Sequence, residues 1–190
     1  MIVRPQFILT VWQPYATLIA RGWKNREFRS WVPSWVDLPF TLAIHAAKRP
    51  MDGEALARRL FESNATAFSE TPDWLRQCAD VISDRRLCPM KPPGPVTANT
   101  LWPELIAGKG HIVGVVDVVG FEQDGSGFAW VLENVRQLVE PMLWRGQQGI
   151  KRFDQDVHVF SPICDQCGQK WEEWACGPTH AVSKQRMGLI

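Results

Sequence analysis

An α+β fold, a small and partly closed β-barrel with inserted helices, is the architecture this 190-residue sequence predicts. Three observations carry it. Five apolar or β-branched runs have strand length, two stripes at near-helical spacing fall among them within residues 52–84, and a Gly-rich turn joins the last two strands. Hydrophobic residues make up 45% of the chain and charged residues 22%, which excludes a disordered, collagenous or coiled-coil protein. Twenty-one Lys and Arg stand against 20 Asp and Glu, so the net charge of +1 supplies no global field for nucleic acid and any such grip must be local. We divide the chain into a barrel domain over residues 1–160 and a tail over residues 161–190.

The first strand runs from Phe7 to Val11. Pro14 then opens a short helix through Tyr15, Leu18 and Ile19, and Gly22 stops it by accepting left-handed backbone. Glu27 to Val32 reads as the second strand, and a loop from Pro33 to Pro39 leads to the third, Phe40 to Ala46. Asp52 caps a helix bearing Leu56, Leu60 and Phe61, with a stop at Asn64. Thr71, Pro72 and Asp73 start another, striped by Trp74, Leu75, Cys78 and Ile82. Five prolines between Cys88 and Pro103 predict a long loop, a candidate lid over residues 88–103. His111 to Phe121 and Phe128 to Leu138 complete the set, antiparallel about the turn from Gln123 to Gly127. Ten Trp against one Tyr, with Trp12, Trp23, Trp31 and Trp35 crowded near the start, suit either core or a stacking surface.

The most apolar stretch, Ile112 to Val119, is interrupted by Gly114 and Asp117 and is far shorter than the roughly 20 residues that span hydrocarbon. Arg4, Pro5 and Gln6 stand where a signal peptide needs an unbroken apolar run, so the chain reads as untargeted and cytoplasmic, with no membrane partner. Reduced cysteines follow from that setting. Five is an odd number, and three lie between positions 164 and 176, a pattern that suits a metal site better than disulfides.

The segment from Gly22 to Arg29 gathers Lys24, Arg26 and Arg29 around the lone carboxylate of Glu27, with Arg21 just before it. If Glu27 and Arg29 lie in a strand, they share a face through the two-residue period, and Lys24 in the preceding turn can bend toward them. Such a cluster could hold a phosphate or a nucleobase edge, or it could be a solvated charged turn.

Gly22, Lys24, Glu27 and Arg29 occupy every fixed position of the signature Gly-x-Lys-x-x-Glu-x-Arg. In residue types, order and spacing the chain thereby resembles the ASCH family of the PUA-like superfamily. The resemblance extends upstream to the run from Gln13 to Ala16, and downstream to Leu42–Ala47, Gly114–Val119, Trp130–Asn134 and the Gly-rich segment from Arg145 to Phe153, about residues 7–155 in all. It implies a PUA-like barrel with a cleft between the first helix and the barrel, and RNA or a nucleoside as partner. Family members also include enzymes that cleave RNA or remove the acetyl group from N4-acetylcytidine. In the deacetylating type a threonine nucleophile stands where this chain has Glu27, and a carboxylate cannot directly replace an alkoxide in that chemistry.

In a nucleotide site, Lys24 would contact a phosphate or exocyclic oxygen, Glu27 would accept from a base amino group, and Arg29 would hold Glu27 in place. Trp23 or Tyr15 would stack on the base. In an enzyme, Lys24 and Glu27 would act as acid and base, which requires a pKa moved toward neutrality. Gly146 and Gly149 precede Lys151, and this loop with Arg145 offers N–H groups and cations to a phosphate, or serves only a tight turn. His45 reads as a core or barrel-end histidine, and Glu133 with Asn134 could face the cleft.

The tail has its own pattern. Cys164 and Cys167 form a Cys-x2-Cys turn, and Cys176 and His180 a Cys-x3-His pair after eight intervening residues. Four such ligands can close a tetrahedral Zn2+ site with no open position, a structural rather than catalytic arrangement. Redox use of the Cys164 and Cys167 pair is the rival, without a thioredoxin-like pattern around it. Trp171 and Trp174 would pack over the metal or present a surface to a protein partner. The functions weighed are thus an RNA-binding module, an enzyme acting on RNA or a modified nucleoside, and an interaction adaptor.

Overall fold

A computed structural model describes residues 1–49, 73–84, 86 and 98–160. Its central feature is a mixed six-stranded sheet. In chain order the elements are β1 (Ile2–Val3), β2 (Phe7–Val11), α1 (Tyr15–Ala20), β3 (Arg26–Arg29), β4 (Phe40–Ala46), α2 (Asp73–Ser83), α3 (Ala98–Gly108), β5 (His111–Asp124), β6 (Gly127–Leu143), β7 (Ile150–Arg152) and β8 (Val157–His158). The sheet order is β3-β6-β5-β4-β2-β7, with β2 and β4 parallel and the other neighbours antiparallel, while β1 and β8 form a separate two-stranded ribbon.

The two-residue alternation sorts the side chains onto two cores. Leu9, Val11, Leu42, Ile44, Val116, Val118, Trp130 and Leu132 bury together with Ala16 and Ile19 of α1 on the inner face. Ile8, Ala43, Ile112, Val115 and Leu138 pack on the other face against Phe153, Val157 and Val159. Trp130, fully buried, anchors the inner core: Trp31, Phe40 and Phe121 meet its rings edge-on, and its indole N–H donates to Trp31 O at 3.1 Å.

Four strand steps separate β3 from β2, which in a flat sheet would put them about 19 Å apart. Arg29 of β3 nevertheless donates to Thr10 O of β2 at 3.0 Å, so the sheet curls its β3 end back over the inner core. This is the described counterpart of the expected barrel, although among the described residues β3 and β7 are not hydrogen-bonded to each other.

Helix α1 is held close to that sheet. A Cβ on Gly114 of β5 would sit 3.0 Å from Ala20 Cβ, so only glycine admits this approach. Gln13 caps the helix start by accepting from Thr17 N at 3.1 Å, while its amide donates to Thr17 Oγ1 and to Leu105 O of α3. Gly22, at φ 70°, makes the predicted stop.

Three sequence expectations are corrected. The second strand ends at Arg29 rather than Val32, because Trp31 turns its carbonyl to the Trp130 indole. The last part of the predicted loop over 88–103 is helix: α3 begins at Ala98 and contains Pro103. A single proline forfeits one hydrogen bond, and the fully buried Leu105 on the following turn anchors the helix against that loss. The final long strand continues five residues beyond Leu138, to Leu143. Helix α2 starts at Asp73 as expected, and burial pushes the Cys78 thiol up to about 12, making it a core group rather than a nucleophile. The expected helix after Asp52, the lid stretch before Ala98 and the tail ligands Cys164, Cys167, Cys176 and His180 lie outside the described residues. No described helix is long and apolar enough to cross a membrane.

Candidate functional site

Strand register decides where the charged signature points. Glu27 pairs with Trp130 and Arg29 with Phe128, so both project onto the inner face, while Arg26 and Phe28 project outward. Arg26 accordingly meets Glu122 on the outside at 3.1 Å. Lys24 reaches the cluster along the free edge of β3. Asn25 O accepts from Leu132 N on β6, so the next carbonyl, that of Arg26, faces the other way, and Lys24 Nζ donates to it.

The three residues converge. Lys24 Nζ lies 3.0 Å from Glu27 Oε2, and an Arg29 terminal nitrogen lies 3.0 Å from Glu27 Oε1, so one carboxylate is clamped between two cations. Lys24 is 3% exposed and Glu27 6%. The Lys24 ammonium also lies 5.5 Å from the centroid of Tyr15, at the start of α1, and 5.3 Å from that of Phe28. Burial pushes the Lys24 ammonium below the usual lysine range, with Glu27 acting in the opposite sense and Arg29 adding a smaller push down. Among its causes the neighbouring cation Arg29 is the least. Desolvation is the first.

Arg29 and Phe28 form the accessible side of the cluster. Arg29 keeps about a quarter of its side chain exposed and Phe28 is 42% exposed. The Arg29 Nε is buried with no partner, a donor left over after the carboxylate and Thr10 O are satisfied. Phe28 and Thr10 were not anticipated as site residues. The alternation that places Glu27 and Arg29 inside also places Phe28 outside, so that signal was present in the sequence; nothing local pointed to Thr10.

Other candidate residues are spread out. Trp23 is partly buried, tied back through its N–H to Leu18 O at 2.9 Å. Arg145 and Lys151 are exposed, and the pairing of Lys151 with Ile8 turns it to the sheet face opposite the cluster. His45 is 1% exposed, with Nδ1 3.1 Å from Thr10 Oγ1 and Nε2 unpartnered. Glu133 and Asn134 are exposed, with Asn134 donating to Asp117. Among the described residues no group of three or more His, Cys, Asp or Glu side chains could hold a metal.

A cavity of about 260 Å³ lies on the other side of α1, lined by Thr17, Ala20 and Arg21 together with Glu104, Gly108 and Gln137 among others. At 100° per residue, Tyr15 is on the helix side opposite Thr17, so α1 separates this cavity from Lys24. Arg21 and Glu104 close on each other at its wall through a 2.6 Å ion pair.

Comparison with known families places residues 9–142 in register with the ASCH domain model. A search of curated proteins finds no match.

Proposed function

Because the chain belongs to the ASCH domain family, within the PUA-like superfamily, we propose that it binds RNA and that the Lys24, Glu27 and Arg29 cluster reads one unpaired nucleotide. The observation that carries this reading is the charge balance of the cluster, where a dry Lys24 and a partly exposed Arg29 share one buried carboxylate. Buried charge is costly unless paired, so the surplus cation is satisfied best by an incoming anionic or acceptor group. A phosphate or exocyclic oxygen supplies that group to Arg29, whose guanidinium keeps an exposed edge. Phe28, exposed at the strand edge with its ring 5.3 Å from the Lys24 ammonium, supplies an aromatic face on which a splayed base stacks. Domains of this family are associated with RNA binding in general, and the nucleotide cleft is our own reading.

One observation favours a second reading, a hydrolase acting on RNA or a modified nucleoside. A lysine driven below its usual range and held 3.0 Å from a carboxylate has the makings of an acid–base pair. The same incubation separates the two. Labelled single-stranded RNA and N4-acetylcytidine are each mixed with the protein; bound but unchanged RNA supports the binding module, and cleaved RNA or released acetate supports the hydrolase. Neither binding nor turnover overturns both.

For the tail we propose a structural Zn2+ held by Cys164, Cys167, Cys176 and His180, on the strength of their spacing. Metal analysis of the purified chain should find close to one equivalent of zinc, and less than half an equivalent contradicts the proposal.

A further inference from the structure

Trp12 is 57% exposed, a costly placement for so large an apolar ring, yet it is not bare. The guanidinium of Arg49 lies 4.1 Å from its ring centroid, at stacking distance. These residues are 37 positions apart in the sequence and meet because β2 and β4 run parallel, with Val11 paired to Ala46 and Ala47 N donating to Val11 O at 2.9 Å. Both chains thus leave the sheet side by side at its carboxyl end, where α1 begins. Lys48 leans instead over Gly110 on the β5 side of β4, so Arg49 is the cation that the structure sets on this ring.

That pair neighbours the ionic cluster. Thr10, whose carbonyl accepts from Arg29, is two residues before Trp12, and two residues of extended chain span at most about 7 Å. Tyr15, beneath the Lys24 ammonium, is three residues after it. An aromatic ring carrying a guanidinium offers planar surface to a base and positive charge to its phosphate, which together match what an unpaired nucleotide presents.

We infer that Trp12 and Arg49 form a stacking platform for a second unpaired base of an RNA strand, adjacent to the nucleotide read by Lys24, Glu27 and Arg29. The platform rests on the RNA-binding reading above and extends it from one nucleotide to a short single-stranded segment. Its contribution is insensitive to base identity, because every base has a π-face, whereas the cluster supplies hydrogen-bonding discrimination.

The test uses the full chain and a fluorescent single-stranded RNA of about a dozen random nucleotides, followed by anisotropy. Trp12→Ala should weaken binding by about tenfold, within the range a single base–aromatic stack contributes, and Trp12→Phe should recover most of the loss. Arg49→Ala should weaken binding less and flatten its salt dependence. Since Trp12 is largely exposed, its variants should melt with the wild type. If Trp12→Ala binds as the wild type does while Lys24→Met binds more weakly, the platform is wrong and the nucleotide site stands. If the wild type itself does not bind this RNA, both fall.

Discussion

Two carboxylates sit on opposite faces of the same sheet, each against an arginine, and their surroundings differ in charge balance. On the outer face, Asp117 accepts from Arg136, from Thr41 Oγ1 at 3.1 Å and from Asn134 Nδ2 at 3.0 Å, one anion against one cation with neutral donors filling the remaining positions. On the inner face, Glu27 stands between Lys24 and Arg29, one anion against two cations. The arginine Nε lacks a partner in both, so that feature does not separate them. Burial and stoichiometry do. Asp117 and Arg136 keep nearly a fifth of their side chains in solvent, whereas Lys24 and Glu27 are almost dry and only Arg29, about a quarter exposed, opens the inner cluster to solvent. A balanced, partly wet group is explained by the bulged β5–β6 register it pins. An unbalanced one, with a dry lysine and one open edge, calls for a ligand at that edge, or for a lysine that gives up its proton.

The largest effect should come from the inner carboxylate. Glu27→Ala leaves Lys24 and Arg29 facing each other without an anion, and we expect a loss of about 3 kcal/mol in urea unfolding. The matching change on the outer face, Asp117→Ala, exposes Arg136 to nearby solvent and should cost about 1.5 kcal/mol. Equal costs would erase the contrast between the two sites.

A smaller effect is pH-dependent. Burial holds the His45 imidazole below its ordinary value of 6.5, opposed by the carbonyls of Gly110 and Trp144, which stop short of hydrogen-bond geometry, and assisted by His111 and Lys48. Between the depressed folded value and 6.5 the unfolded chain binds more protons, so stability rises with pH in that window and is lost on acidification through it. The urea midpoint should fall below pH 6.5, and fall less in His45→Gln. The smallest effect belongs to the exposed Arg4–Asp156 pair at 2.7 Å, where Arg4→Ala should leave the midpoint unmoved.

Much of the inner site was legible from residue order alone. Gly22 ends a short helix, and the strand period then places Glu27 and Arg29 together, which is enough to bring the signature to one face. Its dryness was not legible, because that depends on Trp130, Tyr15 and the curl of β3 toward β2, contacts between residues far apart in the chain. Pro103 hid α3 by resembling a loop residue, and Pro141 hid the last stretch of β6 in the same way. The meeting of Trp12 with Arg49 is a product of parallel pairing between β2 and β4, which no local pattern announces.

The most direct test of the nucleotide site is the RNA affinity of Lys24→Met, in which Glu27 keeps its Arg29 partner. At matched salt, and with melting confirmed close to the wild type, a loss of about tenfold or more is the predicted result, because the Glu27–Arg29 pair that remains is balanced and no longer draws in an anionic group. Undiminished affinity in a folded Lys24→Met protein would contradict the assignment of this cluster to RNA.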